Sequence, residues 1–238
     1  MPLTEGKSST RRADYRRYRE LVATRPELFD RPQGGISILL DEADIAAASE
    51  VVAKRNQSRG LPAAASSVGV LVEDAYILML RDAVRFPDGS LGTHNRVIYP
   101  NGARGVGVLP LLDGQIVLLK VYRHAIGRSL LEIPRGSVEV GDSLEDTVLR
   151  EIAEETGGAV IGTAHLGHSF CDTSLSNGGL DYFLAELSGV GEPQLSEGIV
   201  DIVQVTPARF AEMVMAGEIK DIHAVNAFSL ARLRGLLP

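Results

Sequence analysis

Three glutamates, Glu151, Glu154 and Glu155, fall within about one turn of a predicted helix whose apolar stripe includes Val148 and Ile152. Residues three and four apart on a helix are neighbours, with Cβ atoms about 5–6 Å apart, so the carboxylates crowd into one patch beside the buried face. Like charges in such a patch repel each other, and partial burial makes the ionised forms costlier still. Hard divalent cations, which prefer oxygen ligands, offset this repulsion better than protonation or arginine pairing would. The pattern therefore predicts a metal site.

Capping residues and glycines bound this helix in the sequence. Ser143 and Asp146 form a capping arrangement at its start, and Gly157-Gly158 is expected to end it with a left-handed residue. Gly136 begins the loop that leads into the helix. A loop shaped by glycine places backbone carbonyls beside side-chain carboxylates, which suits a cation site.

The segment GSVEVGDSLEDTVLREIAEETGG, residues 136–158, resembles the Nudix box, written G-x5-E-x7-R-E-U-x-E-E-x-G-U with U a bulky apolar residue. The matching positions are Gly136, Arg150, Glu151, Ile152, Glu154, Glu155 and Gly157. Asp142 stands where glutamate is usual, and Gly158 stands where an apolar residue is usual. The glycine and charged matches around one helix make chance similarity a poor explanation.

In Nudix hydrolases the box binds two or three Mg²⁺ or Mn²⁺ ions on a nucleoside diphosphate linked to another moiety. The resemblance implies that Glu151 and Glu155 are direct metal ligands and that Glu154 is a ligand or an orienting neighbour. It also implies that a main-chain carbonyl at Arg135 or Gly136 completes one metal site.

The catalytic residues implied by the resemblance are Arg150, Glu154 and Glu197. Arg150 would hold the acids in place through charge-assisted hydrogen bonds. Glu197, on a loop before a predicted strand that begins at Ile199, is the expected general base, although an ordinary loop acid is nearly as good an interpretation.

The stretches LLEIPRG and VLLKVYRHAIG, just before the box, resemble the ADP-ribose pyrophosphatase branch of the family. Arg123, Glu132 and Arg104 are the predicted substrate-binding residues. Solubility at a strand edge is the alternative role for Arg123, and helix or loop capping is the alternative for Glu132. The stretch HSFCDTSLSNGG lacks the proline-rich turn common in that branch, so a nucleoside diphosphate sugar competes with ADP-ribose as the substrate.

Four further residues are weaker candidates for chemistry. His124, His165 and His168 lie on separate predicted strands or loops, without a carboxylate at ligand spacing, so ordinary core or surface histidines are expected. Cys171 has no adjacent base in the sequence and is expected to be a small apolar filler.

The predicted fold is α/β: a Nudix-type α/β/α sandwich of mixed sheets with an N-terminal helix-and-strand extension. Residues 1–60 are expected to form the partly helical extension, 61–100 a strand region that contributes to a dimer interface, and 101–238 the hydrolase domain. The resemblance implies a homodimer, because enzymes of this branch exchange an N-terminal strand domain. Strands are predicted at about 36–40, 160–170, 180–187 and 199–205, and helices at about 13–24, 42–56, 144–156, from Pro207, and at 221–234.

Composition limits the remaining possibilities. The 238 residues carry a net charge of −7 and one cysteine, so no basic face for nucleic acid and no internal disulfide are expected. No run reaches the roughly 18 apolar residues of a membrane span, and the first residues lack a secretory apolar core, which favours the cytoplasm. The leading hypothesis is a metal-dependent pyrophosphohydrolase. A nucleotide-sensing Nudix module without hydrolysis and a purely structural homodimer subunit are the competing hypotheses.

Overall fold

Five α-helices and eleven β-strands form within the residues described by a computed structural model of the chain, which are 13–30, 35–99, 104–192 and 198–237. The chain divides into two compact units. The first comprises Met1–Pro100 with Thr173–Asn177, and the second comprises Asn101–Asp172 with Gly178–Pro238. The predicted base Glu197 and the first twelve residues lie outside the described part of the chain.

The first unit combines two helices with an antiparallel sheet. Its elements are α1 (Tyr15–Thr24), β1 (Ser37–Leu39), α2 (Glu42–Gln57), β2 (Gly69–Glu73), β3 (Leu78–Arg85) and β4 (Leu91–Ile98). β3 is central, since β1 and β2 pair with different parts of it and β4 pairs along its whole length. The strands and helices predicted for this region are confirmed within a few residues. The finer domain division, with a boundary near residue 60, stays a prediction.

The second unit contains the predicted Nudix box. Its elements are β5 (Arg104–Leu112), β6 (Gln115–Arg123), β7 (Arg128–Glu132), β8 (Arg135–Ser137), α3 (Leu144–Thr156), β9 (Val160–Phe170), β10 (Gly179–Leu187), β11 (Ile199–Val205), α4 (Pro207–Met215) and α5 (Ile222–Leu233). The sheet order is β11-β6-β5-β10-β9, with β7 beside β6 and β8 beside β5. β5 and β10 run parallel, and the other pairs are antiparallel.

A split between β5 and β6 positions the site. The two strands are joined by Asp113 and Gly114, whose φ angles of 49° and 75° fit the predicted tight hairpin. Direct pairing is confined to the two residue pairs nearest this turn. Farther from the turn, β6 pairs with β7 and β5 pairs with β8. Ile133 and Pro134, which join β7 to β8, therefore cross the gap between β6 and β5. The Pro134 carbonyl accepts a hydrogen bond from the Val108 N–H (2.9 Å).

The sheet of the second unit is covered on both faces, which confirms the predicted α/β/α arrangement. Val148 and Ile152 of α3 are fully buried against one face, where Val106 and Phe183 also point. α4 and α5 cover the other face, in a cluster with Tyr182, Leu184, Phe210 and Phe228. Burial of each large apolar side chain stabilises the fold by about 1.5–3 kcal/mol.

α3 begins and ends as its sequence predicts. The Ser143 hydroxyl accepts the Asp146 N–H, and the Asp146 carboxylate accepts the Ser143 N–H, which completes the capping box. Gly157 ends the helix with a φ of 62°. Among the helices of the described residues, none is both long and apolar enough to span a bilayer.

Candidate active site

Two of the three clustered glutamates of α3 are buried. Glu151 and Glu155 are 6% and 8% exposed, whereas Glu154 is half-buried. The buried pair lies against β8, the strand that precedes the loop into α3: a Cβ added to Gly136 would lie 1.8 Å from Glu151 Oε1. The Arg135 N–H donates to Glu155 Oε2 (3.1 Å). The sequence-predicted ligands and the predicted backbone positions are therefore in contact.

Arg150 connects the acidic patch to β8. Its Nη1 donates to Glu151 Oε1 (2.7 Å) and to Glu154 Oε2 (3.3 Å), and its Nη2 donates to the Ser137 carbonyl (2.9 Å). Asp142, at the position where the Nudix box usually has glutamate, lies 3.9 Å from Arg150 Nε, too far for a hydrogen bond. Burial acts to lower the pKa of Arg150, but the charge and hydrogen bond of Glu151, together with the charges of Glu139 and Glu154, raise it overall.

Two arginines clamp a second buried carboxylate beside this patch. Glu132 is 1% exposed and accepts hydrogen bonds from Arg123 Nη2 (2.6 Å) and Arg135 Nη2 (2.8 Å). Burial opposes ionisation of Glu132, but the hydrogen bond from Arg123 and the charge of Arg135 outweigh it, so the pKa of Glu132 is lowered. The structure thus brings together two predicted substrate-binding residues, Arg123 and Glu132, as partners of each other.

Two buried donors of the site lack a hydrogen-bond partner. Among the buried side-chain nitrogens and oxygens of the described residues, those without a hydrogen-bond partner are Nε of Arg135 and Nε of Arg150. An unsatisfied buried donor costs about 1–3 kcal/mol. Both belong to arginines that already hold the acidic groups, so the unsatisfied donors gather where an anionic ligand would be expected.

A buried tyrosine–histidine pair lies on the α5 face of the sheet. The Tyr182 hydroxyl lies 2.8 Å from His223 Nδ1. Burial lowers the pKa of His223, and the positive charge of Arg135 lowers it further, whereas Asp221 acts in the opposite direction. The ring of Tyr182 lies over Gly107, where a Cβ would come within 3.1 Å of it. This pair could not be predicted from the sequence, because its members are 41 residues apart.

The third predicted substrate-binding residue, Arg104, lies in a different cluster. Its Nε donates to Asp181 Oδ2 (2.9 Å), while His165 Nε2 and His168 Nδ1 lie 2.9 Å and 3.4 Å from the same carboxylate. His165 and His168 were expected to be ordinary core or surface histidines, and the structure adds a carboxylate partner on another strand that their sequence spacing does not show. Burial opposes ionisation of Asp181, but the hydrogen bonds from Arg104 and His165 outweigh it and lower its pKa.

The interpretation of Cys171 as an apolar filler was wrong. Cys171 is exposed, directly after the last residue of β9. Its thiol is still partly desolvated, and this raises its pKa. A thiol with a raised pKa is a poor nucleophile, so Cys171 is not a candidate for covalent catalysis.

The comparisons with known proteins agree with this geometry. Residues 102–224 match the NUDIX domain, and this match spans more than half of the chain. The chain belongs to the Nudix family. It is 29% identical to an ADP-ribose pyrophosphatase of Bacillus subtilis over 70% of this chain and 88% of that protein. It is 31% identical to an ADP-ribose pyrophosphatase of Mycobacterium tuberculosis over 66% of this chain and 74% of that protein.

A solved structure supports the fold. The Nudix chain superposes on the crystal structure of an ADP compounds hydrolase with a TM-score of 0.63, at 17% identity, over 71% of this chain and 93% of the other. The family match and the two relatives identify the protein as a Nudix pyrophosphohydrolase. Nudix hydrolases generally use divalent metal ions.

The Nudix site fits a divalent cation in its chemistry. The carboxylate oxygens of Glu151 and Glu155 are buried beside the backbone of Arg135 and Gly136, and carboxylate oxygens are ligands that Mg²⁺ and Mn²⁺ accept. In the described part of the chain, no three His, Cys, Asp or Glu side chains already stand in a cation-binding geometry. Arg150 holds Glu151 and Glu154 at present, so cation binding would require it to share or release them.

Proposed function

We propose that this Nudix enzyme hydrolyses the diphosphate bond of ADP-ribose, or of a related nucleoside diphosphate linked to another moiety, in a metal-dependent reaction. The products would be a nucleoside monophosphate and a sugar phosphate. Water supplies the oxygen that joins phosphorus, and the bond from phosphorus to the bridging oxygen breaks. The observation that carries the proposal is the contact of the buried Glu151 and Glu155 with the backbone of β8 at Arg135 and Gly136.

Glu151 and Glu155 are the proposed metal ligands, with Glu154 as a further ligand or orienting group and a main-chain carbonyl of Arg135 or Gly136 completing the site. Two or three Mg²⁺ or Mn²⁺ ions, when bound, would neutralise the diphosphate charge and lower the pKa of a bound water. Arg150 keeps the carboxylates near β8 by bridging them to the Ser137 carbonyl.

Arg123 and Arg135 would receive the anionic substrate. Glu132 fixes both guanidinium groups, and each arginine keeps N–H groups that do not face this carboxylate. The unpaired Nε–H of Arg135 supports this role, since a substrate oxygen would satisfy a donor that is otherwise buried at a cost. Positioned charges of this kind account for most of the catalysis in phosphoryl transfer.

ADP-ribose is the favoured substrate because ADP-ribose pyrophosphatases are among the relatives that the chain matches over most of its length. Nucleotide sugars share the diphosphate and the pyranose or furanose ring, so they are the first alternative. A screen of ADP-ribose, nucleotide sugars, dinucleoside polyphosphates and oxidised nucleotides, each with Mg²⁺ or Mn²⁺, would rank them by kcat/KM. Absence of hydrolysis with every substrate and both metals would contradict the proposal.

The metal-ligand assignment is tested by Glu155→Gln. Turnover should fall by orders of magnitude, because the amide keeps the shape of the side chain but removes a charged oxygen ligand. Glu145→Gln is the matched control, since Glu145 lies on the same helix and is exposed. Normal turnover in Glu155→Gln, or an equal loss in both variants, would remove Glu155 from the metal site.

Glu197 remains the proposed general base, and a homodimer remains the proposed assembly. A base should affect kcat and its pH profile more than substrate affinity. Glu197→Gln should therefore lower kcat and flatten the acidic limb of the pH profile, and near wild-type rates would direct the search to other acids.

Sedimentation of the purified protein at several concentrations would test the proposed homodimer.

A further inference from the structure

Three basic side chains surround one buried carboxylate on the second unit's sheet. Arg104 comes from β5, His165 and His168 come from β9, and Asp181 comes from the strand between them, β10. All three basic groups contact the Asp181 carboxylate at 2.9–3.4 Å. We call this group the Asp181 cluster; its members are Arg104, His165, His168 and Asp181.

The anchor of the Asp181 cluster is hidden, but its basic groups are not. The Asp181 side chain is 5% exposed, whereas the Arg104, His165 and His168 side chains are 63%, 47% and 38% exposed. Gly179 makes room for one of them, because a Cβ there would lie 2.6 Å from His168 Nε2. The sequence thus buries a carboxylate that fixes three basic side chains while their outer edges stay open to solvent.

The cluster lies on the same face of the sheet as α3, the helix that carries the proposed metal ligands. Asp181 pairs with Val106, and Val106 pairs with Gly136, which lies against Glu151. Two strand spacings of about 4.8 Å place Asp181 about 10 Å from Gly136. Val106 packs beneath α3, and paired residues of neighbouring strands share a face, so the cluster lies on the face of the sheet that carries Glu151.

A purely stabilising role explains this arrangement poorly. Ion pairs with exposed partners contribute only about 0–1 kcal/mol, and burial of the Asp181 carboxylate opposes its ionisation. Fixed, outward-facing N–H groups are what an anion site requires. Arg104 uses Nε for Asp181, which leaves its two terminal nitrogens for bidentate contact with a phosphate.

We propose that the Asp181 cluster binds a phosphomonoester carried by the substrate about one sugar away from the diphosphate. This inference rests on the proposed function, and it predicts that a phosphorylated derivative of such a substrate is preferred over the parent compound. His165 and His168 point one ring nitrogen each at Asp181, so the second nitrogen is left to share a proton with the phosphate. A phosphomonoester, whose second pKa is about 6, can donate to or accept from an imidazole near neutral pH.

Substrate preference tests the inference. The wild type should hydrolyse 2′-phosphorylated ADP-ribose with a higher kcat/KM than ADP-ribose, mostly through KM. Arg104→Gln and the double variant His165→Gln/His168→Gln should reduce this preference about 10-fold or more, as expected for the loss of a hydrogen bond to a charged group. Lys120→Gln, which removes an exposed positive charge on β6, is the control and should keep the preference.

A second measurement does not depend on hydrolysis. Inorganic phosphate, titrated without divalent metal, should shift the ring resonances of His165 and His168 in the wild type, with assignments from the single glutamine variants. The shifts should weaken in Arg104→Gln and persist in Lys120→Gln. If no nucleotide is hydrolysed, the proposed function fails, and the phosphate titration alone then decides on the cluster.

Two results would overturn the inference. One is a wild type that hydrolyses ADP-ribose without preferring the phosphorylated form, or whose preference survives in Arg104→Gln. The other is a set of histidine resonances that phosphate does not move. A fall in melting temperature in Arg104→Gln with unchanged preference would assign the Asp181 cluster to stability alone.

Discussion

Gly136 lies directly against the carboxylate of Glu151, so that a Cβ at position 136 would meet Oε1 at 1.8 Å and Cδ at 2.2 Å. Gly136 does not have a positive φ, unlike Gly157 at the end of α3. The first glycine of the Nudix box is therefore required by the close approach of a side chain, whereas the later one is required by its backbone conformation.

Gly136→Ala should reduce kcat/KM by about 100-fold or more, because the methyl group must displace Glu151 by roughly an ångström. The fold should persist, since Val148 and Ile152 still anchor α3. Steady-state kinetics and metal titration would measure the loss. Gly189→Ala is the control, because an added Cβ there meets nothing within 4 Å. Equal kinetics in the two variants would show that Glu151 does not need its observed position.

Arg150→Lys should weaken metal binding about 10–100-fold, which is the effect typical of losing a group that orients metal ligands. A lysine carries one nitrogen and cannot contact Glu151, Glu154 and the Ser137 carbonyl as the guanidinium does. Calorimetric titration with Mn²⁺ would measure the change. Arg128→Lys on β7, where the side chain is exposed, controls for the substitution itself. An unchanged metal affinity would limit Arg150 to a role in folding.

Glu132→Gln should destabilise the protein at neutral pH by about 3 kcal/mol, because Arg123 and Arg135 lose their charged partner. The wild type should also lose stability in acid. Since the pKa of Glu132 is lowered by folding, its contribution is complete above the ordinary value of about 4.3 and is lost as the pH falls through the lower folded-state value.

Urea unfolding of the wild type and Glu132→Gln between pH 3 and 7 would separate the Glu132 contribution from that of other acids. The difference between the two proteins should shrink below about pH 4.3. Glu145→Gln, at an exposed position, should follow the wild type throughout. A difference that stays constant across the acid range would show that Glu132 does not contribute as a charged group.

His223 should make stability depend on pH in a higher range. Burial lowers its pKa in the fold, so its contribution is complete above about pH 6.5 and is lost as the pH falls through the folded-state value. His223→Gln should remove this dependence while it keeps a polar partner for Tyr182. Thermal unfolding from pH 5 to 8 would measure it, with His94→Gln, at an exposed position, as the control. Parallel curves for the wild type and His223→Gln would contradict the assignment.

The helix of the Nudix box could be predicted from sequence because its determinants are local. The apolar spacing of Val148 and Ile152, the Ser143 cap and the Gly157 stop all lie within the helix or next to it. The same holds for the Asp113-Gly114 hairpin, and strands β9 and β11 have the predicted bounds.

The Asp181 cluster could not be predicted because it depends on the register between strands. His165 and His168 are three residues apart, and regular alternation along a strand would place them on opposite faces. A register shift in the pairing of β9 with β10, between Tyr182 and Phe183, brings both rings to Asp181. Gly167, whose φ is 127°, lies at this shift, and a glycine within a strand indicates a bulge without showing which side chains it brings together. The clamp on Glu132 was missed for a similar reason, since it depends on how β6 and β7 pair.

A buried polar network in the first unit provides the last prediction. The Tyr18 hydroxyl donates to Asp82 Oδ1 (2.7 Å), and Arg96 Nε donates to Asp82 Oδ2 (2.5 Å). Arg96 also donates to the Leu28 carbonyl (2.7 Å) and lies over the Phe29 ring, 5.2 Å from its centroid. Burial of Tyr18 and the negative charge of Asp82 raise the Tyr18 pKa, so the hydroxyl stays protonated as the donor to Asp82.

Tyr18→Phe should therefore reduce the free energy of unfolding by about 1.5–3 kcal/mol, the range for a hydrogen bond to a charged group. Phenylalanine keeps the ring and its edge-on packing against Phe29, so the loss reports on the hydroxyl alone. Tyr76→Phe, at an 80% exposed position, is the matched control and should change stability by less than about 0.5 kcal/mol. Chemical unfolding followed by circular dichroism would compare them. If Tyr18→Phe is as stable as Tyr76→Phe, the hydrogen bonds from Arg96 are sufficient to stabilise the buried Asp82 carboxylate.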